Sequence, residues 1–525
     1  MVVSGPDDSK NRYHLPVNKA PVENWADARA VMALALVFVA LRLALPPTGL
    51  YLDDWAMLEQ FGPGRPLLEA FRGAARQFAG RPVEIALVPL LFRAAASAWA
   101  RPLLLLALQW AEAVLAYRVF AEAAGRRTLA AVAVLALVLF PCRPIVHVWT
   151  SSAPQLLAHV LALASLLVHL RWRAIDRRSY LAAAQGLYLF SVLTYESAAF
   201  APLLLLAVDL RRLGPRRWRE ALTPLLPYAL SFAAAAAWQR AGAAWLGRPN
   251  ARALGLSATH AAKTFGLGLA ATTSAVPALA ARSISPDAAA QLGAWRCAIL
   301  SVFAFVAAWR VERCVAGEAA PHADWFALAG GAFIAAYLPF ALSADYLPSL
   351  LGVLSRTNAG AAWAFGAGAA AAAAAWPSTA RRARPWVVGA AVLGCAAGQW
   401  ASTLEFSRAS LEQERVLSAA AAALSRAPDA RTLLLSAPTH VGRAVVFEET
   451  YDFAAALRLR TGRPLEANVV SPRLRFLPEG VVERRGAAVA ARHSYGGLYL
   501  YDADAGKLFA VAAPSAGSPP RLTPK

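Results

Sequence analysis

From residue 26 to residue 404 the chain alternates long apolar runs with short arginine-rich segments, a pattern that predicts a polytopic, all-α membrane domain. The runs lie at about 26–45, 102–121, 128–146, 153–170, 180–195, 197–210, 222–240, 289–309, 324–342, 358–376 and 385–404, which gives about 11 crossings. Two of them, 180–195 and 197–210, are short for a hydrocarbon core about 30 Å thick. A twelfth apolar stretch, Pro82 to Trp99, contains Pro82, Glu84, Pro89 and Arg93, and suits an interfacial helix better than a lipid-buried one. Arginine placement decides the matter, because a crossing there would change the side of every later loop. With 82–99 on the outer leaflet and the N-terminus inside, the inner loops hold 16 Arg in 48 residues. The outer loops then hold 12 Arg or Lys in about 135 residues, so the positive-inside rule favours this topology. It leaves two large outer loops, 46–101 and 241–288, and an outer C-terminus.

The flanks differ in character. Residues 1–25 are polar and read as a cytoplasmic tail, and the run after them is too long for a signal-peptide core and lacks a small-residue cleavage site. After Ser402 a helical pattern runs to about Ser425 and stops before Pro428. Then come a buried strand at Arg431–Ser436, a helix at Val445–Leu459, a strand at Ala467–Val470, and a hairpin joining 497–502 to 507–512. Residues 405–512 are therefore expected to form a small extracytoplasmic α/β domain, with 513–525 a disordered Pro/Ser-rich tail. The Ala/Gly run 366–375 supplies small side chains for close helix packing.

Composition strengthens this picture. The 525 residues are 58% hydrophobic and 16% charged, with a mean hydropathy of +0.44, too apolar for a soluble protein of this size. The net charge of +20 resides mostly in loop arginines, so it reflects topology and not nucleic-acid binding. Four scattered cysteines, none in a CxxC pair, indicate neither a disulfide framework nor a zinc site.

The chemistry centres on Tyr51-Leu-Asp-Asp-Trp55, just beyond the first apolar run. Adjacent residues do not share a helix face, so Asp53 and Asp54 are not expected to act as one twin-carboxylate site. One is expected to face the reaction centre while the other orients it or takes a divalent cation; the structural alternative is a helix N-cap. Around them stand Arg81 and Glu84 in the first outer loop, Tyr195 and Glu196 at a boundary, His260 and Lys263 in the second large loop, and Arg356 beside a later span. Arg81, Lys263 and Arg356 are candidates for neutralising a phosphate, against solvated or snorkelling roles for Lys263 and Arg356. His147 reads as an interfacial histidine and His159 as a residue facing the bundle. Asp502-Ala-Asp504 imitates a metal-binding motif but falls in the hairpin turn.

Several motifs occur in a telling order: an outer Asp53-Asp54, Arg81-Pro82, Phe140-Pro141 to Trp149-Thr-Ser-Ser152, then Leu193-Thr-Tyr-Glu-Ser-Ala-Ala-Phe-Ala-Pro202. Over residues 26–240, and less closely to 404, this resembles the GT-C class of multispanning glycosyltransferases. More narrowly, it is similar to bacterial polyprenyl-phosphate-sugar transferases and O-mannosyltransferases. The resemblance implies transfer of a sugar from a polyprenyl-phosphate carrier to a glycan, lipid or protein acceptor, outside a bacterial inner membrane, by an inverting reaction. It places an acceptor-contacting acid at Asp53 or Asp54. Relatives often have two prolines after a Lys or His where this chain has Arg81 and a single Pro82. A transporter or flippase of lipid-linked glycans is the rival from another class, though it would be expected to show repeats and midspan ionisable groups. An inactive scaffold for envelope assembly is the third reading.

Overall fold

In a computed structural model, the described residues are 29–525 without 30–31, 34, 38, 41, 43–44, 46–47, 95, 98, 246–256, 284–289, 291–292, 316–321, 344–345, 351–352, 486–487 and 516–518. The tail 1–25 and parts of the first apolar run and of loop 241–288 lie outside them. Five helical segments are long and apolar enough to cross a membrane: Ala100–Ala124, Thr150–Ile175, Trp218–Gly242, His322–Ala341 and Arg384–Leu424. Ala258–Thr273 and Val276–Arg282, bent by 58°, make a sixth if taken as one broken span. This pair occupies the segment expected to be an outer loop. Its residues are apolar on several faces, and Gly268 lets it approach the Tyr337 ring.

Other apolar runs form helices shorter than a crossing. Arg127–Leu139, Leu203–Leu213 and Ala361–Ala374 have 13, 11 and 14 residues. At 1.5 Å per residue each covers about 20 Å or less. They are core elements: the Arg127–Leu139 and Ala361–Ala374 helices pack together, and a Cβ on Gly366 would collide with the Ala133 carbonyl. The Ala/Gly run thus packs closely, as expected. Pro82–Ala94 is also a 13-residue helix, shorter than a span.

The helix that begins in the apolar run 385–404 does not stop at its end. Arg384–Leu424 is one helix of 41 residues, about 60 Å long, whose second half enters the C-terminal domain. There Val416, Leu417, Ala420 and Leu424 share a core with Leu433 and Leu435 of β1 (Thr432–Ser436). Leu434 points to the opposite face and packs on Leu474 and Val481, so the uninterrupted apolar strand is covered on both sides.

The main sheet has the order β10-β9-β8-β1-β4, with β4 Glu466–Val469 and β8 Leu498–Asp502 both parallel to β1. β9 (Lys507–Ala512) closes the expected hairpin with β8. The helix before β4 spans Thr450–Thr461 and stops at Gly462, which takes the left-handed conformation at φ 67°. It begins later than expected because Ala444–Val445 forms the short strand β3, paired with β2 (His440–Val441). A three-stranded antiparallel sheet, β5 (Leu474–Leu477), β6 (Gly480–Arg485) and β7 (Ala488–His493), went unforeseen. The end of the tail is also not disordered. Arg521–Pro524 forms β10 along the open edge of β9, whose backbone groups need partners.

Candidate functional site

The acidic pair opens the helix Asp53–Phe61 at its first two positions. Leu52 precedes it at φ 42°, a left-handed conformation that is strained for a leucine. Its neighbour holds that turn in place. The Tyr51 hydroxyl donates to the Phe406 carbonyl on the long helix, and Trp149 Nε1 donates to the Tyr51 carbonyl at 3.1 Å. The pair is not an N-cap, because Leu52 occupies that position without a side-chain cap.

Asp54 is fully buried. One oxygen accepts from Thr150 N at 3.1 Å and marginally from Tyr51 N at 3.5 Å. The other accepts from Ser151 N at 2.8 Å and Ser151 Oγ at 2.7 Å. A carboxylate has about four lone-pair directions, and all are engaged. Two of the donors are free N–H groups opening the Thr150–Ile175 run, so Asp54 caps another helix across space. Burial pushes its carboxyl up to about 6, against the pull of these hydrogen bonds. With every lone-pair direction engaged, Asp54 has none left for a substrate proton or a cation, so of the two acids it is the one that matches the expected orienting role.

Asp53 faces the other way and is half-buried. Its carboxylate meets Tyr451 of the C-terminal domain through a hydrogen bond, with the Arg356 cation and the Glu449 carboxylate nearby. Burial raises its pKa, Tyr451 and Arg356 draw it back down, and Glu449 raises it further. Arg356 sits in the turn Val353–Asn358 with its guanidinium 5.3 Å from the ring centroids of both Trp149 and Tyr346. Gln155 holds the backbone there by donating to the Arg356 carbonyl at 3.1 Å.

Four more expected residues form a second cluster. Arg81 donates to Glu84 at 3.3 Å and to Glu196 at 2.6 Å, and lies 4.2 Å from the Tyr195 ring centroid. Two carboxylates face the one guanidinium, an arrangement that weakens the case for Arg81 as a candidate phosphate cation. It ties the Pro82–Ala94 helix to the Tyr195 boundary, and the acidic helix packs on Pro82–Ala94. Lys263 is exposed, and among the described residues no hydrogen bond or ion pair joins it to either cluster. His260 Nε2 donates to the Phe340 carbonyl at 3.0 Å.

Two features escaped the sequence reading. Glu112, inside a candidate span, pairs with Arg143 at 2.9 Å, His159 Nδ1 at 3.2 Å and Trp363 Nε1 at 2.9 Å. His159 Nε2 continues to Ser197 Oγ at 3.3 Å, and Glu112, Arg143 and His159 are fully buried. An ionisable residue in an apolar run was the available signal. The second feature is the C-terminal domain itself, which contributes Tyr451 and Glu449 beside Asp53 and clamps Glu59 with Arg458 through contacts of 2.5 and 2.6 Å. Its Asp502 behaves as the turn reading expected, accepting from Asp504 N and Ala505 N. Among the described residues no group of three His, Cys, Asp or Glu side chains is placed to hold a metal ion.

These elements define a helical protein with several membrane-length helices and a C-terminal α/β domain. No family model matches the chain, nor does any curated protein or solved structure.

Proposed function

We propose that the protein is a membrane glycosyltransferase that moves a sugar from a polyprenyl-phosphate carrier to an acceptor hydroxyl on the outer face of a bacterial inner membrane. The observation that carries this reading is the Asp53 face: a half-buried carboxylate of raised proton affinity beside a cation held over two aromatic rings. Asp53 accepts the proton of the acceptor hydroxyl, and Arg356 offsets the charge that develops on the departing carrier phosphate. Asp54 fixes the turn that aims Asp53, and Tyr451 completes the wall from the C-terminal domain. The acceptor attacks the anomeric carbon, its proton passes to Asp53, and the sugar–phosphate bond breaks with its electrons on the phosphate.

Eleven crossings with the N-terminus inside and the C-terminal domain outside fit the arginine distribution; the short helices Arg127–Leu139, Leu203–Leu213 and Ala361–Ala374 then cross only together with the residues that flank them, and the bent Ala258–Arg282 pair is re-entrant. The acceptor is a glycan, a lipid or a protein. The test is the lipid-linked sugar profile of cells with and without the protein. Loss of the protein should cause one polyprenyl-phosphate sugar to accumulate; an unchanged profile, with every donor consumed at the normal rate, would count against the reading.

A further inference from the structure

The three-stranded sheet β5–β6–β7 sorts its charges by face. Cross-strand pairing puts Leu474 with Glu483, and Val481 with both Phe476 and His493, on one face, where Leu474 and Val481 pack on Leu434 of the main sheet. On that side Glu483 accepts from Asn468 Nδ2 at 2.9 Å, and His493 Nδ1 lies 2.9 Å from a Glu466 oxygen. The opposite face carries the cations. Arg475 and Arg492 both pair with the buried Val482, one from each neighbouring strand, and Arg484 follows Val482 by two positions. Arg473, just before β5, stands opposite Arg484, whose N–H donates to its carbonyl at 3.0 Å. All four arginines are exposed, and among the described residues no ion pair engages Arg475, Arg484 or Arg492.

Like charges directly opposite on a sheet lower its stability, so Arg473 facing Arg484 is a cost to the fold. Glu449, 3.2 Å from Arg473, offsets it at one end only. Glu449 is also the carboxylate near Asp53, so the basic face begins at the wall of the proposed transfer site and runs away from it along β5. A strand spacing of about 4.8 Å sets the Cβ atoms of Arg475 and Arg492 about 10 Å apart, and two-residue steps of about 7 Å separate Arg473 from Arg475. One small anion cannot reach arginines so spaced, whereas a chain of repeated negative charges can. The exposed large apolar side chain on this face is Val489, too little to seat it in a bilayer, and its strand positions offer no aromatic ring for a nucleobase to stack on. We propose that this face binds a glycan of acidic sugars and leads it to Asp53 as the acceptor. The acceptor role rests on the transfer reading; the binding does not.

The test uses purified full-length protein in mild detergent, without sugar donor, and compares a short galacturonate oligomer with its methyl ester, the same chain without charge. Wild type should bind the oligomer at least about 10-fold more tightly than the ester. The combined variant Arg475→Gln, Arg484→Gln, Arg492→Gln should weaken it by about 10-fold or more and, because these arginines repel one another, should melt no lower than wild type. Arg492→Glu alone, on the edge strand β7, should weaken it as well. The same Gln exchange at the exposed Arg65, Arg72 and Arg76 removes equal charge from the first outer loop and should leave binding unchanged. Equal affinity for the ester would overturn the proposal, as would full affinity in the folded β5–β7 variant. An equal loss from the Arg65, Arg72 and Arg76 variant would overturn it too, because the attraction would be to net charge alone. Displacement of the oligomer by a lower concentration of dihexanoyl phosphatidylglycerol would assign the face to lipid head groups instead. With no donor present, absent binding refutes this inference alone, whereas intact binding in a protein that transfers no sugar refutes the transfer reading and leaves the glycan site standing.

Discussion

At the residue scale the two adjacent aspartates differ because one faces a helix start and the other a domain boundary. Asp54→Asn exchanges an acceptor oxygen for an NH2 group facing the N–H groups of Thr150 or Ser151, so it should lower stability by about 1–3 kcal/mol, measurable in thermal melts. Arg143→Ala should cost more, about 3–5 kcal/mol, since it strands Glu112 in the core without its cation. A joint replacement of Glu112 and Arg143 by apolar residues should recover much of that loss. The sequence singled out Asp53 and Asp54, and the alternation rule indicated that they diverge, as they do. It did not show which was which, because the deciding partners Ser151 and Tyr451 lie about 100 and 400 positions away. Arg81 illustrates the same limit. It was legible as a cation of the first outer loop, but its pairing with Glu196, in a cluster apart from Asp53, depends on a contact 115 residues distant.

At the element scale, local periodicity identified most helices and the β8–β9 hairpin, while the long Arg384–Leu424 helix hid its continuity. Its apolar face serves the membrane bundle first and the sheet core afterwards, so the change in pattern resembles an end. The strands β5–β7 were obscured because Arg, Glu and Gly interrupt their apolar positions. The Thr450–Thr461 helix carries a pH-sensitive group. Asp452 is buried, accepts from Glu448 N at 3.2 Å and Phe453 N at 2.5 Å, and burial pushes it up to about 8 from the ordinary 3.8. The folded domain then binds this proton more tightly than the unfolded chain, so stability should be greatest below pH ~4 and fall as the pH rises through 8. Asp452→Asn should flatten that fall in melts recorded across the range; an unchanged slope would locate the titration elsewhere. On the same helix, Arg458→Ala removes the clamp on Glu59, a partly exposed pair of modest strength. Hydrogen exchange over 53–61 should quicken.

At the scale of the whole molecule, the hydrophobic alternation made the membrane class legible, whereas the number of crossings was not. Helices of 11 to 14 residues serve the protein core with the same apolar composition that a lipid-facing span uses. Ser494 and Ser179 are exposed, so single cysteines there report sidedness directly. An impermeant reagent added to intact cells should label the cysteine at 494 and spare that at 179; the reverse would invert the topology. The central claim, that Asp53 is the base of a sugar transfer, is tested most directly by purified protein given a polyprenyl-phosphate sugar and acceptor, with donor binding measured separately. Asp53→Asn should lower transfer by a factor of about 10² to 10⁴ while the protein stays folded and binds donor as wild type does. Transfer by Asp53→Asn at the wild-type rate would contradict the account.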